Sequence, residues 1–238
     1  MTAPEFDLAG RVAVVTGVGA RNGIGFATAS LLARMGASLV VSASSARVSA
    51  RATELPAQAR AVAVVGDLTE PDTGERLVQA AITSFGRIDI AVNCAGMTSV
   101  SSPQSESGEV ADMDLSTWRA SMARNLDASF LFARAVLPAL KMSGRGRLIM
   151  VASLTGPVMG IRGEGAYGAA KAGVVGLVRS VAVDSARYGV TANAVAPGWI
   201  ATDSQTDSEE RQGRRTPMER SGRPDEVASL IGYLSTDA

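Results

Sequence analysis

The stretch "RVAVVTGVGARNGIGFATASLLARMGASLVVSA", residues 11–43, decides the fold. It opens with "RVAVVT" (11–16) and closes with "SLVVSA" (38–43), two Val-rich segments that are apolar throughout rather than alternating. That is the pattern of parallel strands covered on both faces. Between them lies "TGVGARNGIG" (16–25), with glycines at 17, 19, 23 and 25, running into a helical apolar pattern over 23–35. A strand, a glycine-rich turn and a helix N-terminus together make an anion site. Glycine lets the backbone approach a pyrophosphate, and the free N–H groups and the helix dipole favour its charge. A glycine pattern alone is weak. This one follows a strand and opens a helix, which is the context that a nucleotide-binding reading needs.

The alternation continues along the chain. Further strands are predicted at "RAVAVVG" (60–66), "IDIAVN" (88–93), "RLIMVA" (147–152) and "TANAVA" (191–196). Helices are predicted at about 46–55, 72–85, 114–142, 166–187 and 224–236. The sum is one α/β domain over 1–238, a Rossmann-type doubly wound parallel sheet with helices on both faces. The Ser-rich segment 98–113 reads as a long loop, and the polar run 201–217 as part of a mobile substrate flap over about 199–217.

Composition narrows the function. The 238 residues suit one large domain, and 46% hydrophobic residues supply a core. The balance of 23 basic and 23 acidic residues argues against nucleic acid or an anionic membrane as partner. There is no run of about 18 consecutive apolar residues of the kind that spans a bilayer, and the N-terminal segment has no secretory pattern. The single cysteine, Cys94, leaves no intrachain disulfide and fits a reducing cytoplasm. With no histidine, the commonest general base and metal ligand are both missing, so acid–base chemistry falls to carboxylates, Lys, Tyr or Cys and no metal is expected.

Dinucleotide choice is read at the end of the second strand. Sheets of this kind that bind NAD place an acid there for the ribose hydroxyls. Between Ser38 and Arg51 there is no Asp or Glu; Ser42, Ser44, Ser45 and Arg47 stand there instead, and the glycine loop adds Arg21 and Asn22. Hydroxyls and guanidinium groups without a carboxylate suit a 2′-phosphate, so NADP(H) is the expected cofactor. A solvated Ser/Arg loop would read similarly. Asp67, after the third strand, reads either as an acceptor for the adenine amine or as a helix N-cap.

Ligand crevices in such sheets lie beyond the C-terminal strand ends. "GEGAYGAAKAG" (163–173) follows the fifth strand and carries one phenol, Tyr167, and one ammonium, Lys171, on a single helical face among Gly and Ala. A phenol titrates near 10. A nearby ammonium, together with the positive nicotinamide of an oxidised cofactor, is expected to lower it, making Tyr167 a usable proton donor, with Ser153 donating to a substrate carbonyl. A core tyrosine beside a snorkelling lysine is the alternative reading on spacing alone.

With these motifs together, the chain resembles the short-chain dehydrogenase/reductase family. The family's marks stand in order as "TGVGARNGIG", "NCAG", "RNLDASF", "VASLTG", "YGAAK" and "NAVAPGWIATD", and cover residues 10 to 236 or so. The resemblance implies Tyr167 as acid/base, Lys171 as ligand of the nicotinamide ribose that also lowers the tyrosine, Ser153 as orienter of the substrate oxygen, and Asn125 as holder of a water that relays protons to Lys171. It implies cofactor contacts from Gly17, Gly19, Gly23, Ile24 and Gly25 in the loop, from Asp67 and Leu68, and from Asn93, Ala95 and Gly96. Pro197, Gly198, Ile200 and Thr202 would meet the nicotinamide.

Departures accompany the match. The glycine loop is two residues longer than the usual spacing, which leaves the phosphate-binding N–H groups and the role of Arg21 open. Cys94 replaces the second Asn of the NNAG motif and reads as a packed side chain. Family members usually continue into a last parallel strand that helps subunits meet; the 238 residues stop at "LSTDA", before it.

The substrate pocket would draw on Thr98, Val100, Leu154, Thr155, Val158, Met159, Ile161, Trp199 and Ile200, with Arg162 and Glu164 as its nearby charges. The implied reaction is NADPH-dependent reduction of a hydrophobic ketone or acyl thioester. "GRPDEVA" and the second-strand pattern are similar to 3-oxoacyl-acyl-carrier-protein reductases of fatty acid biosynthesis. An NAD-dependent dehydrogenase of a small or hydrophobic secondary alcohol is the alternative. An acidic carrier protein would be helped by a basic rim, for which Arg134, Lys141, Arg145 and Arg187 are candidates; solvated surface arginines read the same way. The apolar helices 123–142 and 166–187 suit a homodimer or homotetramer.

Overall fold

The computed structural model describes residues 4–96 and 106–238. Six parallel strands form one sheet: β1 (Val12–Val15), β2 (Ser38–Ala43), β3 (Ala61–Val65), β4 (Ile90–Asn93), β5 (Arg147–Val151) and β6 (Thr191–Val195). Their order is β3-β2-β1-β4-β5-β6. The chain starts at β1, builds outward to β3, returns to the middle and builds outward again. The reversal falls between β1 and β4, where the crossover helices diverge and a ligand crevice opens. Register is continuous across this point, with Ala13 opposite Ile90 and Val15 opposite Val92.

Side chains alternate across the pleat, so each strand feeds two cores. Val12, Val14, Leu148 and Met150 pack on one face with Leu77, Phe132, Val136 and Val174. Those come from α3 (Thr73–Phe85), α5 (Ala128–Ser143) and α6 (Gly165–Ser185). Ala13, Val15, Leu39 and Ile149 pack on the other face with Leu32 of α1 (Ile24–Arg34), Val48 of α2 (Arg47–Thr53) and Ile231 of α8 (Pro224–Leu234). Each large aliphatic side chain so buried contributes about 1.5–3 kcal/mol of transfer free energy.

Two elements depart from expectation. The helix predicted over 114–142 is broken into α4 (Leu115–Met122), a π-helical turn (Ala123–Asp127) and α5. The polar run after β6 contains α7 (Asp207–Gly213), begun by a capping box in which Thr206 and Glu209 satisfy each other's backbone N–H groups. The segment Gly165–Tyr188 is long and apolar enough to cross a membrane by length and composition. Here it lies on the sheet, with Val174 and Val178 in the core.

Candidate active site

Strand ends β1, β4 and β5 meet helix starts at the crevice, and buried polar side chains join them. Thr16 Oγ1 donates to Asn93 Oδ1 (2.6 Å), Asn93 Nδ2 donates to Ser129 Oγ (3.1 Å), and Ser129 Oγ donates to the Asn125 carbonyl (2.7 Å). Asn93 Oδ1 also accepts from the Ala95 amide at 3.1 Å. Each of these four side chains is at most 3% exposed, and a buried network is stable when its polar groups are satisfied in this way. The network fixes the strand β4 end and the π turn as one unit.

Asn125 sits in that π turn. Its Nδ2 donates to Ser121 O at 3.1 Å, which turns Oδ1 toward Gly96. Gly96 has φ +153°, and a Cβ there would lie 3.1 Å from Asn125 Oδ1 and 3.1 Å from Lys171 Nζ. Both groups therefore converge on one notch that only a glycine leaves open. π turns arise often at functional positions because the extra residue re-aims one side chain.

Lys171 reaches the notch from α6. It is 4% exposed, and its ammonium donates to Val151 O at 3.1 Å. Burial pulls its pKa down to about 8. The ammonium lies 5.6 Å from the Tyr167 ring centroid, so the two side chains do share a face. The Tyr167 hydroxyl is hydrogen-bonded with Ser153, whose Oγ accepts from the Thr155 amide at 3.1 Å. The ammonium alone does not lower the phenol as expected. Burial pushes the Tyr167 phenol up, and the Glu164 and Glu209 carboxylates push it further, against the hydrogen bond from Ser153. The lysine is itself weakened as a cation by burial. Tyr167 is thus held as the neutral phenol, the form that can give a proton. Cys94 lies beside this cluster with its thiol raised by burial to about 12, and is unsuited to thiolate chemistry.

The glycine loop fits a dinucleotide phosphate. Gly17 has φ +74°, and a Cβ on it would stand 2.7 Å from the Cys94 backbone, so the loop lies against the end of β4. Helix α1 begins at N-cap Gly23, with no side-chain cap and no acid in its first turn, leaving its N–H groups for an anion. Gly19 is open apart from one contact with the Ala43 methyl group. On the ribose side, Arg47 Nε donates to Ser45 Oγ at 3.2 Å and Ser44 is half-buried next to them.

Arg21 and Asn22 of the lengthened loop have protein partners. Arg21 pairs with Glu54 at 3.3 Å, and Glu54 also holds Arg51 at 2.5 Å. Asn22 is committed to the flap: its amide N–H donates to Asp203 Oδ2 (3.0 Å), its Nδ2 to Ala201 O (2.7 Å), and its carbonyl accepts from Asp203 N (3.1 Å). An asparagine so engaged latches loop to flap. Asp67 does not cap α3, whose N-cap is Asp72; it bonds the Thr69 amide and hydroxyl at 3.0 and 2.9 Å. The Leu68 side chain is in the core. The Ile200 side chain also packs inward, while Pro197 O accepts from Leu154 N at 3.0 Å and Thr202 Oγ1 lies 3.0 Å from Ser204 Oγ.

Along the start of α6 a groove of about 440 Å³ is lined by Thr155, Val158, Met159, Ile161 and Glu164, with Gly168 and Ala172 of α6 as its floor. Four of the expected pocket residues are thereby brought together. Thr98 and Val100 lie outside the described residues. Arg134 lies over the Phe130 ring of α5 at 5.9 Å, and the other three expected rim cations are not at the crevice. Lys141 and Arg187 both stack on Tyr188, 5.0 and 4.8 Å from its ring, and Arg145 faces Asp89, which bonds the Val12 amide at the start of β1. These cations sit at the helix C-termini, the opposite pole from the strand ends that bear the site.

Comparison with known proteins agrees with this geometry. A family model described as Enoyl-(Acyl carrier protein) reductase matches residues 17–238. A 3-oxoacyl-[acyl-carrier-protein] reductase of Synechocystis sp. is 39% identical over 97% of this chain and 91% of its own length. A cis-4-hydroxycyclohexanecarboxylate dehydrogenase of Sinomonas cyclohexanicum is 38% identical over 96% of this chain and 90% of its own. The crystal structure of a dehydrogenase/reductase from Sinorhizobium meliloti 1021 superposes with a TM-score of 0.87 at 30% identity, covering 98% of this chain and 90% of that one.

Proposed function

The chain belongs to the short-chain dehydrogenase/reductase family of oxidoreductases, and from that premise we propose that it is an NADPH-dependent ketoreductase whose substrate is a 3-oxoacyl thioester or a hydrophobic ketone of similar size. The reading is supported most directly by the convergence of Ser153, Tyr167, Lys171 and Asn125 at one end of a glycine-lined crevice. Bound in that crevice, the dinucleotide supplies the hydride. Ser153, its lone pair engaged by the Thr155 amide, turns its proton from the Tyr167 oxygen to the substrate carbonyl oxygen and holds that oxygen against Tyr167. Tyr167, a neutral phenol, gives its proton to that oxygen as negative charge develops. The Lys171 ammonium favours the phenolate left behind and, across the notch at Gly96, faces Asn125 Oδ1, which holds a water for reprotonation.

NADPH follows from Ser44, Ser45 and Arg47 at the end of β2 with no carboxylate among them. The Arg21–Glu54 pair favours the second reading, an NAD-dependent dehydrogenase of a secondary alcohol, because it takes one cation away from a 2′-phosphate. The apolar groove suits an acyl chain, whether carried as a free thioester or on a carrier protein. Exposed Phe130 on α5 and Val183 on α6 suit a homodimer or homotetramer built through those helices.

One set of rate measurements tests the proposal. Consumption of NADPH and of NADH is followed with acetoacetyl thioesters, and with secondary alcohols in the reverse direction, for the wild type and Tyr167→Phe. The proposal expects NADPH to be preferred and the variant to lose at least about a hundredfold in kcat while still binding cofactor. Equal or better use of NADH overturns the cofactor assignment, and a variant that remains active overturns the mechanism.

A further inference from the structure

Arg124 is a charged residue that the proposed reaction does not use, yet it precedes Asn125 in the π turn and its side chain is only 5% exposed. A guanidinium buried to that degree needs anions around it. It has two. Glu106, 11% exposed, forms an ion pair with it, and the Asp67 carboxylate just past β3 is near enough to favour its charge. From Glu106 the chain runs directly to the tyrosine helix. Gly108 N donates to Gly163 O at 2.8 Å, and Gly108 and Glu164 are bridged in parallel. Val110 then lies against the first residue of α6, since a Cβ on Gly165 would meet its Cγ2 at 2.6 Å. Tyr167 stands two positions further on.

The segment 106–110 is therefore a strap, anchored at one end to the turn that aims Asn125 and at the other to the turn that starts the Tyr167 helix. We infer that Arg124 is a positioning residue, which through its buried ion pair with Glu106 holds Asn125 and the start of the tyrosine helix in mutual register. The inference rests on the reductase reading above. The only other ion pair on the strap among the described residues, Arg162–Glu109, spans 3.7 Å between side chains 90% and 63% exposed, too solvated to anchor anything. An apolar side chain at 124 would fill the same space, but it would not specify where Glu106 goes. A displacement of Asn125 or Tyr167 by about 1 Å is enough to cost on the order of a hundredfold in rate.

The experiment compares wild type with Arg124→Met, Arg124→Lys, Glu106→Gln and the double variant Arg124→Met/Glu106→Met. It reads kcat and KM for ketone reduction, NADPH affinity by fluorescence titration, and thermal unfolding. Arg124→Met and Glu106→Gln are expected to lower kcat at least about tenfold, with smaller changes in NADPH affinity. Arg124→Lys should recover part of the rate. In the double variant neither member of the Arg124–Glu106 pair is left orphaned and Asp67 keeps its bonds from the Thr69 amide and hydroxyl, so the unfolding temperature should return toward wild type while kcat stays low. If kcat returns together with stability, Arg124 serves the fold alone and the inference is wrong; a folded Arg124→Met with wild-type kcat also overturns it. Should Arg124→Met fail to fold, the lysine and double variants decide. A wild type that reduces no ketone defeats the reductase reading. Amide exchange then tests the strap by itself: segments 106–112 and 163–168 should both exchange faster in Arg124→Lys and in the double variant, and unchanged exchange refutes the coupling.

Discussion

Lys171 is a cation buried at the site, and its burial costs stability. Its pKa is displaced by burial from 10.5 to about 8, a displacement worth roughly 3 kcal/mol between its charge states. Because the folded value lies below the unfolded one, the unfolded chain binds the extra proton between about pH 8 and 10.5, and stability rises with pH across that window. Below it, both states are protonated and the whole penalty is present. Lys171→Met removes the penalty and loses the bond to Val151 O, which is worth about 1 kcal/mol. The variant should therefore be inactive but more stable at pH 7, by about 2 kcal/mol or on the order of 5 °C in Tm, with the difference shrinking toward pH 10. Thermal unfolding at the two pH values reads this directly. In the wild type the reductive kcat/KM should fall as pH rises through about 8, when the ammonium is lost while the phenol, raised by burial, keeps its proton. A rate that is flat from pH 7 to 9 would remove the ammonium from the proton path.

At the level of elements, the glycine loop and the flap form one unit through Asn22. Asp203→Ala removes the carboxylate that accepts from the Asn22 amide at 3.0 Å but leaves the reverse backbone bond at 3.1 Å. The loosened latch should raise KM for the cofactor about three- to tenfold, in keeping with one lost charge-assisted hydrogen bond. It should leave kcat nearly unchanged and speed amide exchange over 201–213. This latch was not legible in the sequence, because Asn22 and Asp203 are joined only by the fold. The strands were legible almost to the residue, since uninterrupted Val-rich runs such as "VAVV" and "LVVSA" have no competing structure in a two-sided sheet. The π turn was not, because its re-aimed carbonyl depends on Ser129, and the burial of Arg124 depends on Glu106 and Asp67. Helix α7 could have been read: "TDSE" at 206–209 is the capping-box spacing, overlooked amid the charge of the segment.

Across the whole molecule, chemistry and stability are concentrated at opposite ends of the sheet. The C-terminal strand ends hold the crevice with its unused donors and closely approaching glycines. The N-terminal ends hold charge pairs that make no contact with it. Asp89, fully buried, accepts from the Val12 amide (3.0 Å) and from Arg87 Nε (2.9 Å), with Arg145 Nε 3.8 Å away. Close by, Arg147 pairs with Asp237 at 2.9 Å and donates to Thr236 O at 2.9 Å, which ties the chain's last residues to β5. Asp89→Asn keeps an acceptor for Val12 but leaves two guanidinium groups without their shared anion. Both arginines are more than 40% exposed, so water takes over part of their charge and the cost is moderate, about 1–2 kcal/mol. For a chain of this size that lowers Tm by roughly 2–8 °C. Because the lost bonds lie at the far end of β1 and β4 from Asn93 and Tyr167, kcat and KM should stay within about twofold of wild type, as for distant independent sites. Steady-state rates measured well below Tm, set beside a melting curve, separate the two effects. A variant that keeps its Tm, or that loses turnover while folded, would show that the two ends of the sheet are not independent.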